Sequence, residues 1–493
     1  MSGRCSTFVA YNLKPKSNMY TLGFDIGTSS VKACVINAER GQVAGLAQWP
    51  ETEAPIISLQ PGWAEQKPED WWERVVKATQ LAIKAAGNVG DQIAAVGIGY
   101  QMHGLVCVDE ELQAQRPSII WCDSRAVPYG QQMAMQLGRD YCDHHLLGSP
   151  AGFTAAKWAW VKDNEPELAA KTKYIMLPGD YAALRLTGKP TTTIPGLSEG
   201  MMWDFAEGKP ATIAEHTPEI VPTFGNQGTL TAEAAAALGV PAGIPVTYRA
   251  GDQPNNAYSL DVMNPGEVAA TAGTSGVVYG VTDRLEGDPQ NRINAFAHVN
   301  YTTEQPRLGL LLCVNGTGIL NAWVRRNILP DLSYPQMNDL CDTVAPGADG
   351  LVMVPFVNGA ERLMGNRDLG CSMHGLRFNT HTKAHMARAA QEGIVFALIR
   401  GMEVMGDIKH IRAAKANMFL NPIFTRTLAN VTGAEITLLE ADGSVGAARG
   451  AAEGLGIATP TPAVVGNIQP QDEAARKPYI DAYQRWTEIV DKL

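Results

Sequence analysis

Residues 20–37 read YTLGFDIGTSSVKACVIN and carry the clearest fold signal in the chain. Two runs rich in β-branched and apolar residues flank the small-residue turn Gly27-Thr28-Ser29-Ser30. Two such runs with a short turn between them predict a β-hairpin. The tip of this hairpin presents small and hydroxylated residues, and the carboxylate of Asp25 stands just before it.

The same pattern recurs in residues 267–281, EVAATAGTSGVVYGV, where Gly273-Thr274-Ser275 forms a second tip. A chain of 493 residues is too long for one ordinary hydrophobic core. We therefore predict an N-terminal extension over residues 1–18, a first domain over residues 19–258 and a second domain over residues 259–493. Two domains imply a cleft between them, and each hairpin heads one domain.

The composition restricts the class of partner. A formal net charge of −10 disfavours nucleic acid through long-range repulsion, whereas a small neutral substrate is compatible with it. The alternative, that the negative charge serves only to keep the protein in solution, stays open. The eight cysteines stand singly, without a C-x-x-C pair, which predicts reduced thiols in a cytoplasmic protein and no zinc site. No segment approaches the ~18 apolar residues of a membrane span, so we expect no membrane partner.

The remaining pattern mixes strands and helices, which predicts an α/β fold. A helix begins near Pro68, with acidic residues in its first turn, and runs to about Ala86. The strand over residues 93–99 delivers Gln101-Met102-His103-Gly104 at its carboxyl end, where open α/β sheets place ligands. Further helices are predicted over residues 384–406 and 445–454, and a strand-turn-helix unit over residues 411–433.

Small-residue tips suit phosphate binding, because they expose backbone N–H groups and hydroxyls and leave room for the anion. The candidates are Gly27, Thr28, Ser29, Gly273, Thr274 and Ser275. An ordinary polar turn is the alternative for either tip alone. Asp25 ends an apolar strand and is a candidate ligand for the Mg²⁺ that accompanies ATP. Its alternative role is to cap turn amides of the same tip.

Asp252 follows an apolar strand within the small-residue stretch Gly251-Asp252-Gln253-Pro254. A carboxylate in this position can accept the proton of an attacking alcohol, a role worth ~10²–10⁴ in rate. The spacing also allows Asp252 to serve as the N-cap of a helix over the asparagines that follow. The residues alone leave both readings open.

As a set, these motifs resemble the FGGY carbohydrate kinase family, and within it the xylulokinases. The match keeps the family order from about Met19 to Leu455. Beyond the two hairpins and Gly251-Asp252, its pieces are Trp63-Ala-Glu-Gln66, Gln101-Met-His-Gly104, Trp121-Cys-Asp-Ser-Arg125, Gly152-Phe-Thr-Ala-Ala-Lys157, Leu177-Pro-Gly-Asp180-Tyr181 and Asn315-Gly-Thr-Gly318.

The resemblance implies two ribonuclease-H-like lobes of the actin and hexokinase ATPase type, with sugar bound mainly by the first and nucleotide mainly by the second. It implies ATP and Mg²⁺ as cofactors and phosphorylation of a ketose, D-xylulose first, with other pentuloses, polyols and heptuloses left open. It also assigns roles: Asp252 as general base, Asp25 and Thr28 as magnesium and phosphate contacts, and Met102 with His103 as sugar contacts. A homodimer is compatible with the resemblance.

The side chains expected around the sugar are Met102, His103, Trp121, Asp123 and Gln253. Met102 can cover the apolar face of a short sugar, and His103 can hydrogen-bond to a hydroxyl. His103 can equally be a structural histidine, and Trp121 with Asp123 can be a buried tryptophan and a capping carboxylate at a strand end.

One segment departs from the family pattern. Where such kinases carry a glycine-rich stretch under the adenosine, this chain has Ala416-Asn417-Met418-Phe419-Leu420-Asn421-Pro422. We expect Asn417 and Asn421, with Gly318, to contact the nucleotide, and the bulk of Met418 and Phe419 to obstruct its pocket. A sugar-binding protein that has lost ATP binding is therefore an alternative, although it would not need Asp252 as a base. A chaperone-like or filament ATPase is disfavoured by the Gln-Met-His-Gly segment.

Overall fold

The computed structural model describes residues 19–357, 359 and 361–493, so the predicted extension over residues 1–18 lies outside the described part. The chain divides into two compact units. Of the described residues, the first contains 19–141, Ser149–Ser259 and Asp442–Thr461. The second contains Cys142–Gly148, Leu260–Ala441 and Pro462–Leu493. Residues 442–461 thus return to the first unit, although the predicted second domain included them.

The described residues form both strands and helices. The strands are β1 (Tyr20–Ile26), β2 (Val31–Asn37), β3 (Val43–Trp49), β4 (Glu65–Gln66), β5 (Ile93–Tyr100), β6 (Val106–Val108), β7 (Ser118–Ile119), β8 (Tyr174–Met176), β9 (Thr191–Thr192), β10 (Trp203–Asp204), β11 (Lys209–Pro210), β12 (Glu219–Ile220), β13 (Val246–Gly251), β14 (Glu267–Ala272), β15 (Gly276–Thr282), β16 (Asn294–Ala297), β17 (Leu308–Val314), β18 (Val352–Phe356), β19 (Gly370–His374), β20 (His410–Ala414), β21 (Glu435–Leu439) and β22 (Val464–Ile468). The helices are α1 (Pro68–Ala85), α2 (Val127–Leu137), α3 (Arg139–Tyr141), α4 (Thr154–Asn164), α5 (Pro166–Ala169), α6 (Pro178–Thr187), α7 (Ile194–Glu199), α8 (Ala232–Leu238), α9 (Asp252–Ser259), α10 (Gly318–Asn327), α11 (Tyr334–Asp342), α12 (Lys383–Met402), α13 (Pro422–Thr432), α14 (Gly443–Gly454) and α15 (Glu473–Val490).

The first unit is built on a five-stranded sheet in the order β13-β5-β1-β2-β3. β1 and β2 pair antiparallel around the first tip, with Asp25 opposite Lys32, so the predicted hairpin is confirmed. β1 and β13 both run parallel to β5. The carboxyl ends of β1, β5 and β13 therefore lie at the same edge of the sheet.

One face of this sheet is covered by α1. Its buried side chains Trp71, Val75, Ala78 and Ala82 recur at the spacing of one helix face and join the core that includes Phe24 of β1. Burial of a side chain the size of Val75 contributes about 1.5–3 kcal/mol. The helix predicted from Pro68 to about Ala86 is confirmed.

The helix α14, from the last quarter of the chain, packs against β1 and β5. The contact is so close that a Cβ on Gly23 would lie 2.2 Å from the backbone nitrogen of Ala448, and one on Gly97 would lie 2.0 Å from the carbonyl oxygen of Ala447. The Thr21 hydroxyl donates to the Ala448 carbonyl oxygen across 2.8 Å. This close approach explains the abundance of Ala and Gly in α14.

The second unit is built on a seven-stranded sheet in the order β16-β17-β15-β14-β20-β21-β22. β14 and β15 form the second predicted hairpin, with Ala272 opposite Gly276 across the tip. The predicted strand-turn-helix unit is present as β20 and α13, and the predicted helix over 384–406 as α12. None of the helices in the described ranges combines the length and the apolar composition that a bilayer crossing requires.

Candidate active site

Three strand ends bring the predicted residues of the first unit together. In the register of the sheet, Ile26 and Gly251 both lie opposite Tyr100, the last residue of β5. Ligands of open α/β sheets bind at this carboxyl edge. The edge holds Asp25 on β1, the Gln101-Met102-His103 segment after β5, and Asp252 after β13.

Asp252 is the first residue of α9 and is partly buried. Burial and the negative charge of Asp25 raise its pKa to about 7, while hydrogen bonds from Gln253 act in the opposite direction. A carboxyl group whose pKa lies near the working pH is suited to accept a proton. Gln253, expected at the substrate, contacts Asp252 through both its backbone and its side chain.

Asp25 lies in a second charged cluster of the same unit. Burial and the negative charge of Asp442 raise the pKa of Asp25 to about 6, and the positive charge of Lys32 lowers it. Lys32 Nζ and Asp442 Oδ2 form an ion pair at 2.7 Å, although the two residues are 410 positions apart in the sequence. Asp442 was not among the predicted site residues, because nothing local in the sequence places it beside β1.

The first tip is held by a network of side chains. The Thr28 hydroxyl donates to Gln101 Oε1 across 3.1 Å, and it accepts from the Trp121 indole N–H across 2.9 Å. The Gln66 side-chain amide donates to the Thr28 carbonyl oxygen across 2.8 Å. Because the single hydroxyl proton of Thr28 is already donated, this side chain can offer a phosphate no further donor in this arrangement.

The donors that the first tip can still present are backbone N–H groups and the hydroxyl of Ser29. The Gly27 N–H closes the turn by donating to the Ser30 carbonyl oxygen across 3.0 Å. Ser29, by contrast, is exposed. Exposed backbone at a tight turn forms the kind of concavity that binds anions.

His103 has a left-handed backbone conformation, with φ of +63°. Its Nδ1 lies 2.9 Å from the carbonyl oxygen of Glu199. A carbonyl oxygen only accepts, so Nδ1 carries the proton, and in the neutral ring Nε2 presents a lone pair. The ring also meets Phe153 edge to face, with the ring centres 4.8 Å apart. The expected bond to a sugar hydroxyl is therefore one in which Nε2 accepts.

Glu199 and Lys157 were missed as site residues, although Lys157 closes one of the quoted motifs. Both are buried, with exposed fractions of 1% and 0%. Burial raises the pKa of Glu199 well above its usual value and lowers the pKa of Lys157 to about 7. Sequence could have flagged Glu199 only as a charged residue inside an otherwise apolar and small-residue run.

Met102 is buried beside the end of β13. A Cβ on Gly251 would lie 2.5 Å from Met102 Cγ and 2.4 Å from Glu199 Oε2. A glycine is therefore required immediately before Asp252, since any side chain would displace one of these two neighbours.

Trp121 and Asp123 have different environments. The Trp121 side chain is 55% exposed and available to a ligand. Asp123 is buried, and its carboxylate accepts from the Ala64 N–H across 2.6 Å and from the Arg125 guanidinium across 2.7 Å. Arg125 in turn stacks on Trp63, 3.6 Å from the ring centre. Both Asp123 oxygens therefore already have partners within the protein, and the sugar contact of Asp123 stays a prediction.

The second unit contains a cavity of about 630 Å³. Five predicted nucleotide contacts line it: Gly273, Thr274, Gly318, Asn417 and Asn421. The second tip and the start of α10 meet here, because the Gly318 N–H donates to the Gly273 carbonyl oxygen across 2.9 Å. Ser275 belongs to the same turn but is not one of the described residues that line the cavity.

The bulky residues of the 416–422 segment do not fill this cavity. Phe419 turns into the core and meets Phe424 edge to face, with the ring centres 5.1 Å apart. Met418 is buried and forms part of the cavity wall. Asn417 takes φ of +53°, a conformation for which glycine is the usual residue. The obstruction expected from Phe419 is thus absent, since its side chain points into the core.

Asn421 links the cavity to α13. Its Oδ1 accepts from the Ile423 N–H across 2.9 Å and so caps the helix. Its Nδ2 is buried and has no hydrogen-bond partner among the described residues. An unpaired buried donor at a cavity wall is costly unless a ligand satisfies it.

Comparison with known proteins agrees with this geometry. The model of the FGGY family of carbohydrate kinases, N-terminal domain, matches residues 20–258, and that of the C-terminal domain matches residues 268–454. A protein named xylulose kinase from Streptomyces rubiginosus is 29% identical over 489 residues, covering 96% of this chain and 94% of that relative.

Solved structures share the fold. A ligand-bound xylulose kinase from Lactobacillus acidophilus superposes with a TM-score of 0.86 at 20% identity, covering 96% of this chain and 98% of that one. A gluconate kinase from the same organism gives a TM-score of 0.85 at 20% identity, covering 97% and 98%. The predicted α/β fold of the actin and hexokinase ATPase type is confirmed.

Proposed function

Because the chain belongs to the FGGY family of carbohydrate kinases, we propose that it transfers the γ-phosphoryl group of ATP to D-xylulose, giving D-xylulose 5-phosphate. One observation carries the proposal: Asp252 stands at the ligand-binding edge of the first sheet with its pKa raised to about 7. The name of the relative from Streptomyces rubiginosus supports D-xylulose as the acceptor.

In this proposal the first unit binds the sugar. Nε2 of His103 accepts a hydrogen bond from one hydroxyl, and the exposed indole of Trp121 covers an apolar face of the sugar. Met102, packed on Gly251, sets the floor of the pocket next to the base. Gln253 orients the Asp252 carboxylate through its hydrogen bonds.

Asp252 is the general base. As the sugar hydroxyl oxygen bonds to the γ-phosphorus of ATP, its proton passes to the Asp252 carboxylate. The bond between the γ-phosphorus and the bridging oxygen breaks, and ADP leaves with those electrons. The proton transfer supplies a factor of ~10²–10⁴ in rate.

Asp25 and Asp442 offer the carboxylate oxygens that Mg²⁺ prefers, and the ion takes only one or two such ligands beside waters and phosphates. Their proximity, seen in the effect of Asp442 on the pKa of Asp25, fits such a site. When bound, the ion neutralises charge on the phosphates. Lys32, paired with Asp442, adds a positive charge to the same cluster.

The second unit binds the nucleotide in this proposal. The 630 Å³ cavity holds the adenosine, with Asn421 Nδ2 donating to the base and the 273–275 tip binding phosphate through its backbone N–H groups. Calorimetric titration with ADP tests this part, and we expect micromolar affinity. Absence of ADP binding would favour the sugar-binding alternative.

The acceptor is tested by ADP release with ATP and Mg²⁺ over a panel of D-xylulose, D-ribulose, D-gluconate and glycerol. We expect the highest kcat/KM with D-xylulose and a 5-phosphate product by phosphorus NMR. D-gluconate belongs in the panel because a gluconate kinase shares this fold. A tenfold higher kcat/KM with any other acceptor would replace D-xylulose as the substrate.

A further inference from the structure

The backbone of His103 is strained. A residue other than glycine in the left-handed region is strained and persists only where its surroundings impose that conformation. In the proposed pocket this residue presents its ring to the sugar, so whatever holds the backbone also sets the direction of the ring.

Glu199 and Lys157 make three hydrogen bonds with His103, beside the edge-to-face contact of its ring with Phe153. The Glu199 side chain accepts the His103 backbone N–H at Oε1 across 3.3 Å. The Glu199 carbonyl oxygen accepts from ring Nδ1 across 2.9 Å. Lys157 Nζ donates to the His103 carbonyl oxygen across 2.6 Å. Backbone donor, backbone acceptor and ring are thus all fixed by Glu199 and Lys157.

Glu199 is well placed to hold this geometry rigidly. It is the last residue of α7, is 1% exposed, and lies against Gly251, so it contacts both the segment after β5 and the end of β13. Burial is the main cause that raises the pKa of the Glu199 carboxyl well above its usual value. A carboxyl oxygen can accept the His103 N–H in either protonation state.

We propose that Glu199 and Lys157 are positioning residues that hold the backbone N–H and the backbone carbonyl oxygen of His103. This arrangement, which we call the clamp, fixes the direction in which the His103 ring faces the sugar. This proposal rests on the proposed function, because it takes the pocket at His103 to be the sugar site. Neither residue touches the reacting atoms. Their effect therefore falls on sugar binding and not on phosphoryl transfer.

A double-mutant cycle tests the clamp with D-xylulose as the sugar. Glu199→Leu keeps the approximate size of the side chain and removes the acceptor of the His103 N–H, while the backbone carbonyl that accepts from the ring remains. We expect it to raise the D-xylulose KM about tenfold, while kcat and the ATP KM stay within about twofold. In a His103→Ala background the same substitution should change the sugar KM by less than about twofold, because the ring that it positions is absent.

The matched variant is Glu199→Gln, which keeps an acceptor oxygen in a side chain of nearly the same size. It should recover a sugar KM within about threefold of the unaltered enzyme. The proposal would be overturned if Glu199→Leu raised the sugar KM equally in the unaltered enzyme and in the His103→Ala background. It would also be overturned if Glu199→Leu lowered kcat and raised the ATP KM by as much as it raised the sugar KM.

Should Glu199→Leu fail to fold, by thermal melting, the cycle is run with Lys157→Met, which removes the contact to the His103 carbonyl. Non-additivity with His103→Ala is again the expected result, and additivity contradicts the clamp. Failure of the proposed function is visible separately, as absence of D-xylulose turnover in the unaltered enzyme. In that case the double-mutant cycle is measured with the acceptor of the panel that gives the highest kcat/KM. Non-additive effects on the KM of that acceptor would support the clamp, and additive effects would contradict it.

Discussion

The Trp121 indole N–H donates to the Thr28 hydroxyl oxygen across 2.9 Å, although 93 positions separate the two residues in the sequence. This bond ties the proposed sugar wall to the hairpin tip proposed to bind phosphate. A ligand on one of them can therefore affect the other.

Substitutions of Trp121 should separate these two roles. Trp121→Phe keeps a ring for the sugar but loses the N–H, so the ATP KM should rise about fivefold, the value of one neutral hydrogen bond, with a smaller change in the sugar KM. Trp121→Ala should raise both constants. Steady-state kinetics with each substrate varied in turn measures this. An ATP KM unchanged in both variants would show that the bond does not support the tip.

Asp252→Asn should lower kcat by ~10²–10⁴, because the amide cannot accept the proton of the sugar hydroxyl. The amide has nearly the same size, so sugar binding measured by calorimetry should stay within about threefold. Turnover near that of the unaltered enzyme would remove Asp252 as the base. Loss of sugar binding would instead assign it a binding role.

The pH dependence of kcat/KM should report the same group. With a pKa of about 7, Asp252 is mostly protonated and inactive below that value, and it becomes competent as the pH rises. We expect kcat/KM to fall about tenfold per pH unit below pH 7 and to level off above about pH 8. A profile that is flat from pH 5.5 to 8 would contradict this assignment.

The sequence predicted the elements of this fold well, because the signals are local. The hairpins around Thr28 and Thr274 are specified by runs rich in β-branched and apolar residues with small turn residues between them, and α1 by its start signals at Pro68 and the acidic residues that follow. The α14 sequence predicted close packing but not its partner. Its contact with Gly23 depends on two segments that no local pattern connects.

The site was predicted only in part, for the same reason. Asp252 and His103 follow the ends of strands β13 and β5 and could be found from position alone. Asp442 reaches Lys32 across 410 positions, and Glu199 reaches His103 from a helix end without a motif. The type and position of Asp123 suited a sugar contact, and its ion pair with Arg125 is a pairing that only the folded geometry reveals.

Asn421→Asp should separate nucleotide binding from helix capping. The carboxylate keeps the oxygen that accepts the Ile423 N–H, so the melting temperature should change little. The Nδ2 donor is lost, and the ATP KM should rise roughly tenfold. Asn421→Ala is the control that should lose both, with about 1 kcal/mol less stability. An unchanged ATP KM in the Asp variant would remove Asn421 from the nucleotide site.

Asp123→Ala should affect stability and not sugar recognition. Removing one partner of a buried ion pair costs about 3–5 kcal/mol. Among the residues that the structure describes, Arg125 keeps only Glu65 as an anionic partner, at 2.8 Å. We expect a large fall in the urea midpoint, with the sugar KM of the folded enzyme within about twofold. A selective rise in sugar KM at normal stability would place Asp123 in the sugar site.

The position of α14 has a consequence for biosynthesis. Residues 260–441 must be translated after the strands of the first sheet and before the helix that covers β1 and β5. At ~5–20 residues per second, that interval lasts on the order of ten to forty seconds. During that interval the face of β1 and β5 that α14 later covers is exposed to chaperones near the ribosome exit. A transcript truncated before codon 442 yields a product that lacks α14, so this face stays uncovered.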